Sequence, residues 1–316
     1  MNFADFVGMD AKMEQLMRSA QAGRIVHALL FCGPSGTGKR SMAELIARTV
    51  LCKGKGHRPC GLCDSCKKCL NGVHPDIHAD IVPEKNTIKV EQIRDLLETM
   101  ALASYEGGMK IAIIERAELM NDQAQNALLK TLENPTGDAM FFLLTDTPAA
   151  LLPTVVSRCL RVRFHCLEQD QCAGVLERKG IARERAELLA ALAQGSVGRA
   201  LEIDVDEGYM ALRKRVIDAI EGLKGPESFA AAADKIGIGD VDRASVFEIL
   251  ELWARDLMRV QNNLPPMQTK DAAGLRASRY SGSKMMQILM QMRRQLRQNV
   301  SWTNALDTMF FCLTRG

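Results

Sequence analysis

Gly33-Pro34-Ser35-Gly36-Thr37-Gly38-Lys39 constrains this chain more than any other stretch. The spacing G-x-x-x-x-G-K surrounds phosphate oxygens with backbone N–H groups and a helix N-terminus, and aims a lysine at them. Such a loop needs a buried strand before it and a helix after it. Ala28-Leu29-Leu30-Phe31-Cys32 has the unbroken apolar character of a parallel strand, and Met42-Ala43-Glu44-Leu45-Ile46-Ala47 reads as the helix. Gly33, Gly36, Gly38 and Lys39 are therefore the expected cradle, at the carboxyl end of a sheet strand.

The next position breaks the pattern. Arg40 stands where the motif carries the Ser or Thr hydroxyl that holds magnesium, and Ser41 cannot replace it, because one step along a helix turns a side chain about 100° away. A second apolar strand, Lys110-Ile111-Ala112-Ile113-Ile114, runs into Glu115-Arg116-Ala117-Glu118. Nucleotide-hydrolysing sites of this type place two carboxylates there, one for the metal's water shell and one to activate the attacking water. Glu115 can serve the first role; Arg116 cannot serve the second, since a guanidinium accepts no proton. The expectation is a degenerate site that keeps a cradle for ATP, ADP or bare phosphate and lacks the chemistry of hydrolysis, with Arg40 itself able to touch a phosphate.

Cys52, Cys60, Cys63, Cys66 and Cys69 crowd into a Lys- and Gly-rich insertion directly after the phosphate-loop helix. Consecutive C-x-x-C steps let turns aim several thiolates at one centre, and a closed tetrahedral zinc site takes four. We expect a structural zinc on Cys52, Cys60, Cys63 and Cys66, with Cys69 as the alternative ligand. An iron–sulfur cluster is the competing reading, but Leu70 follows Cys69 where the bacterial ferredoxin run has Pro. The remaining cysteines, Cys32, Cys159, Cys166, Cys172 and Cys312, stand singly and are expected to be small buried hydrophobes. Ten cysteines and no visible leader or spanning apolar segment fit a cytosolic protein that uses thiols for metal rather than disulfides.

A formal charge of +3 gives no global field of the kind that marks nucleic-acid binders. Locally the end of the chain is basic, with Lys270, Arg276, Arg279, Lys284, Arg293, Arg294, Arg297 and Arg315 against Asp271 and Asp307, a bias that usually means a solvated helix face. Strand and helix alternate through the first half: helical spacing over Ile88–Ala103, a helix from Asn121 stopped by Pro135, then strands at Ala139–Leu144 and Leu160–Phe164. After about His165 the strands stop and helical patterns take over, among them Arg183–Ala193 closed by Gly195. Met285, Met286, Leu289, Met290 and Met292 make an apolar helix face.

Several of these segments together resemble the delta-prime group in the clamp-loader branch of the AAA+ family. They are His27–Phe31 leading into the loop, the cysteine insertion, Gly72-Val73-His74-Pro75-Asp76, the run Gln125–Pro135, and Leu152-Pro153-Thr154-Val155-Val156-Ser157-Arg158-Cys159. The resemblance implies an α/β AAA+ fold, a RecA-like parallel sheet with helices on both faces, over residues 1–166 with the zinc insertion at about 52–69. A small helical lid domain at 167–206 and an all-α C-terminal collar at 207–316 complete the expected division. It further implies that Arg158 is an arginine finger acting in trans, that Thr145 (or Asp146 beside it) senses the γ-phosphate, and that Arg199 is the lid-domain sensor arginine. Partners implied are gamma/tau and delta subunits in a pentameric ring, with a sliding clamp and primed DNA reached through the complex during DNA replication, and no membrane. Two other classes compete: an ATP-hydrolysing gamma/tau-type motor, against which Arg116 speaks, and a zinc-dependent DNA-binding module built on Lys53, Lys55, Arg58, Lys67 and Lys68.

Overall fold

Alternate residues of the central strands feed two different cores, and this is what fixes the sheet between two helical layers. The computed structural model describes residues 5–314 apart from Asp10, Asp80, Lys85, Thr136, 238–241 and 268–271. Lys270, Asp271 and Arg315 of the basic bias therefore lie outside the described residues. Five parallel strands, β1 (Ala28–Cys32), β2 (Ile77–His78), β3 (Lys110–Ile114), β4 (Ala139–Thr145) and β5 (Leu160–Arg163), line up in the order β2-β3-β4-β1-β5. Leu29, Phe31, Ile111, Ile113, Met140 and Phe142 face one way, onto helices α1 (Ala11–Gln21) and α2 (Lys39–Val50) through Met13, Leu16, Met42 and Ile46. Leu30, Cys32, Ala112, Ile114, Phe141 and Leu143 face the other way, onto Ile93, Leu96, Leu128 and Leu132. A strand buried on both faces reads as a continuous apolar run, which is why these strands were visible in the sequence.

The short helix α3 (Asp64–Leu70) lies in the cysteine insertion, and α4 (Val90–Ala101) and α5 (Asp122–Glu133) cover the second face. Asn121 caps α5, its side chain accepting from the Ala124 N–H at 2.8 Å, and Asn134-Pro135 ends it. The Leu152–Val156 stretch is a single helical turn, α6 (Pro153–Val156), and α7 (Gln169–Arg178) follows β5. The two-residue β2 and the short α3 and α6 carry too few residues to stand out in the sequence, whereas α1 does follow the helical i, i+3, i+4, i+7 spacing at Met13, Leu16, Met17 and Ala20, a signal the sequence expectations above do not include.

The chain divides into two units, one of residues 1–179 with 195–199, the other of residues 180–194 with 200–316. The second carries helices and no strand among its described residues: α8 (Arg183–Leu192), α9 (Val197–Val205, begun in the first unit), α10 (Glu207–Glu221), α11 (Phe229–Ile236), α12 (Arg243–Gln261), α13 (Ala272–Ala277), α14 (Gly282–Arg297) and α15 (Trp302–Thr314). Trp253 packs edge-on to Tyr280 with ring centroids 6.2 Å apart, and the Tyr280 hydroxyl donates to the Ile220 carbonyl at 3.0 Å. Of the methionine face, Met285, Leu289 and Met292 are buried, Met286 is half-buried, and Met290 is exposed.

The lone cysteines need a correction. Cys32 and Cys172 are buried, but Cys159 and Cys312 are only half-buried and Cys166 is exposed; Cys312 lies inside an apolar run but beside exposed Phe311, off the buried face of α15 formed by Met309, Phe310 and Leu313.

Candidate functional site: phosphate loop, Arg158 and cysteine cluster

The loop between β1 and α2 holds Gly33, Gly36 and Gly38 at φ of 152°, 71° and 89°, a backbone path that L side chains resist. The Gly33 N–H donates to the Thr145 carbonyl at 3.1 Å, tying the loop to the end of β4. Lys39, the first residue of α2, is buried, and its ammonium turns back on the loop. It donates to the carbonyls of Gly33 at 2.5 Å and Pro34 at 2.8 Å and to Asp146 Oδ1 at 2.6 Å. Three donors meet three acceptors, so the charge is satisfied within the chain. Asp146, not Thr145, is the strand-end residue in contact with the lysine; the Thr145 hydroxyl is buried and accepts from the Thr147 N–H at 3.1 Å.

Arg40 lies one position on and bridges two carboxylates. Its Nε donates to Glu44 Oε1 at 2.7 Å, and its Nη1 donates to Glu115 Oε1. The Glu44 bond, with the Glu115 charge, raises the Arg40 pKa further. Arg116 is exposed, adopts a left-handed φ of 50°, and sends its Nη2 to Asn86 Oδ1 at 3.2 Å. The segment Gly195–Arg199 packs on the same loop: Gly198 N–H donates to Gly36 O at 2.8 Å and Ser196 Oγ to Ser35 O at 2.9 Å. Arg199 is half-buried there, its N–H tied to Ser196 Oγ at 3.3 Å. The structure thus gathers Gly33, Gly36, Gly38, Lys39, Arg40, Glu115, Thr145 and Arg199 around one loop; the sequence signalled neither Ser196 nor the role of Asp146 against the lysine.

Arg158 stands two residues beyond α6. Leu152 N–H is pinned by Gln125 Oε1 on α5 at 2.7 Å, and Val155 is buried, so the turn that carries Arg158 is rooted in the sheet's second helical layer. Its guanidinium donates from Nε to Glu133 Oε1 at 2.7 Å, from Nη2 to the same oxygen, and from Nη1 to the Thr154 carbonyl at 2.9 Å.

The Sγ atoms of Cys52, Cys60, Cys63 and Cys66 all lie within 4.8 Å of one another. Tetrahedral zinc thiolates, with Zn–S of about 2.3 Å, separate their sulfurs by roughly 3.8 Å, so the four need only a small contraction to hold a metal ion. The donor set fits in two further respects. The N–H groups of Cys60 and Cys63 point at Cys52 Sγ (3.3 Å) and Cys60 Sγ (3.4 Å). A Cβ on Gly54 would come within 2.7 Å of Cys60 Sγ, so the backbone closes on the sulfurs. Bonds from the N–H groups of Cys63 and Leu62 pull the Cys60 thiol down to about 6, the range in which it ligates as thiolate. Burial pushes Cys66 up, and for Cys63 burial is outweighed by N–H groups of Cys66 and Lys53 that lower it. Cys69 is outside the cluster: half-buried against the first core, with its thiol pushed up to about 11 by burial.

A polar network fastens this insertion to the sheet. Asp76 N–H donates to His74 Nδ1 at 3.2 Å, which leaves the proton on Nε2, 3.1 Å from Ser65 Oγ; Ser65 in turn donates to the Leu51 carbonyl at 2.8 Å. Asp76 accepts from the N–H groups of Tyr105 at 2.6 Å and Glu106 at 3.0 Å, and Glu106 pairs with Lys53 at 2.7 Å and Lys68 at 2.5 Å. A loop histidine beside a proline reads as a surface or hydrogen-bonding group; His74 is hydrogen-bonded through both ring nitrogens but buried, and burial lowers its pKa.

Residues 8–168, just over half of the chain, match the family described as DNA polymerase III, delta subunit. The chain is 36% identical over 211 residues to DNA polymerase III subunit delta' of Bacillus subtilis (strain 168), covering 67% of this chain and 64% of that protein. It is 33% identical over 261 residues to subunit delta' of Pseudomonas aeruginosa, covering 78% and 77%. To subunit tau of Escherichia coli (strain K12) it is 38% identical over 208 residues, 64% of this chain but 32% of that protein. The chain therefore spans about two thirds of the first of these relatives and about a third of tau. A DNA polymerase III gamma subunit-related protein of Thermotoga maritima shares the fold, with a TM-score of 0.55 at 19% identity over 95% of this chain and 99% of that one.

Proposed function

The chain belongs to the DNA polymerase III delta' family, and from that premise we propose that it is a largely non-hydrolysing subunit of a clamp-loader ring. It helps place a sliding clamp on primed DNA during replication and lends Arg158 to nucleotide held by a neighbouring gamma/tau-type subunit. The observation that carries this reading is the ion pair between Arg40 and Glu115. It puts a fixed cation where a hydroxyl and a carboxylate would otherwise share magnesium, while Arg116, the only residue at the base position, points to Asn86. Positive charge at that point still suits phosphate, so ATP or ADP can sit on the loop once Lys39 leaves Asp146.

Arg158 has the chemistry of a finger: a guanidinium presented to another subunit's γ-phosphate offsets charge as the phosphoryl group transfers. The helical residues 207–316 supply the collar through which delta, gamma/tau and this chain assemble, and residues 167–206 the lid. Zinc on the four cysteines is a staple that holds an insertion with little apolar content of its own. Its basic side chains are less available to DNA than the sequence suggests, because Lys53 and Lys68 are both spent on Glu106.

The test is Arg158→Ala in a complex reconstituted with motor subunits, clamp and primed DNA. Normal assembly with ATPase and clamp loading lowered, by roughly tenfold or more at the affected site, supports the proposal. Unchanged activities in a normally assembled complex overturn it.

A further inference from the structure

We infer that Glu133 is the positioning residue for Arg158, holding its guanidinium with a fork of N–H groups left free for a phosphate on another subunit; this rests on the trans-arginine reading above. A guanidinium has five N–H donors. Nε and Nη2 each give one to the same oxygen of Glu133, and Nη1 gives one to the Thr154 carbonyl. Two N–H groups remain, one on each terminal nitrogen, and these nitrogens are the ones an arginine turns to phosphate oxygens. Both the Arg158 and Glu133 side chains are partly exposed, at 32% and 46%, so the fork is reachable from solvent.

The placement of Glu133 argues that it serves the arginine rather than its own helix. It is the last residue of α5, where free carbonyls disfavour a carboxylate. A partly exposed ion pair returns little stability. Its effect is geometric. A lone arginine on a single helical turn samples many rotamers, whereas a side-on carboxylate fixes the plane of the guanidinium. The same helix also fixes the turn itself, through Gln125 to the Leu152 N–H. Helix α5 thus carries both the mount of the finger and the group that orients it.

The experiment measures ATP turnover of the reconstituted complex with Glu133→Ala, Glu133→Gln, Arg158→Ala and the Arg158→Ala/Glu133→Ala double variant, alongside assembly and thermal melting of each. Glu133→Ala is expected to lower kcat by about threefold to tenfold with the KM for ATP and assembly unchanged, Glu133→Gln to restore part of the loss, and the double variant to equal Arg158→Ala alone. If Arg158→Ala lowers turnover while Glu133→Ala does not, the positioning role fails and the trans-arginine reading stands. If Glu133→Ala raises turnover, Glu133 restrains the arginine, and the inference is overturned. If Arg158→Ala itself changes nothing, the failure is that of the finger.

Discussion

Arg40, in the first turn of α2, donates to Glu115 at the end of β3, so the helix and the strand are joined by an ion pair at the point where a magnesium ion would bridge them. The pair has a second anchor in Glu44, one helical turn further on. We predict that the purified chain releases phosphate from ATP only at background, far below the roughly 1 s⁻¹ at the low end of typical enzyme turnover. Arg40→Ser alone leaves this unchanged, because Arg116 still occupies the base position. A turnover near that value, abolished by Lys39→Ala, would show that the site hydrolyses ATP after all.

The four-sulfur cluster should hold about one zinc per chain by elemental analysis. Cys63→Ser is expected to lose the metal and Cys69→Ser to keep it, since Cys69 packs in the core away from the other four. Chelation should loosen the insertion while the sheet remains folded, seen as increased amide exchange confined to about 52–69. Stoichiometric iron with visible absorbance would reassign the site to a cluster.

Two glycines with nearly the same backbone angle separate strain from crowding. Gly23 and Gly36 have φ of 70° and 71°, but a Cβ on Gly23 meets nothing within 4 Å, whereas on Gly36 it would lie 2.4 Å from Ser196 Oγ and 2.7 Å from the Arg199 nitrogen. Gly23→Ala should cost about 1 kcal/mol, the left-handed penalty alone. Gly36→Ala should cost about 1–3 kcal/mol more, because the loop and the Gly195–Arg199 segment must separate. Denaturant melts of the two variants check this, and equal losses would mean that the contact does not persist in solution.

Acid should weaken the network behind the cysteines in two stages. His74 has its pKa lowered from 6.5 by burial, so the unfolded chain binds its proton more readily; that stability is complete above 6.5 and declines as pH falls below it. Bonds from Lys53 and Lys68 hold Glu106 down at about 2, so its contribution is complete above the ordinary 4.5 and is lost as pH falls towards 2. Melting temperature against pH should therefore lose its upper inflection in His74→Asn and its lower one in Glu106→Gln. A His74→Asn profile that keeps the upper inflection assigns it to another group.

Local pattern was enough for the strands and for the phosphate loop. Ala28–Cys32 and Ala139–Leu144 are apolar throughout because both faces are covered, and the Gly33–Lys39 spacing carries its own conformation in three glycines. The substitutions at Arg40 and Arg116, and the cysteine steps, were likewise legible, since each concerns what a residue type can and cannot do chemically. Glu133, Ser65 and Ser196 were not, and Asp146 and His74 stood out without the partners they take. Glu133 meets Arg158, Asp146 meets Lys39 and Ser196 meets Ser35 from far along the chain, while Ser65 and His74 meet nine residues apart across the turn that ends the cysteine insertion. A carboxylate in a helix's last turn, or a histidine beside a proline, has the same local appearance whether solvated or engaged. Only the parallel sheet, by setting the ends of β1, β3 and β4 side by side and packing α5 against α6, brings Asp146 to Lys39, Glu115 to Arg40 and Glu133 to Arg158 within hydrogen-bond range, a proximity absent from any local window of sequence.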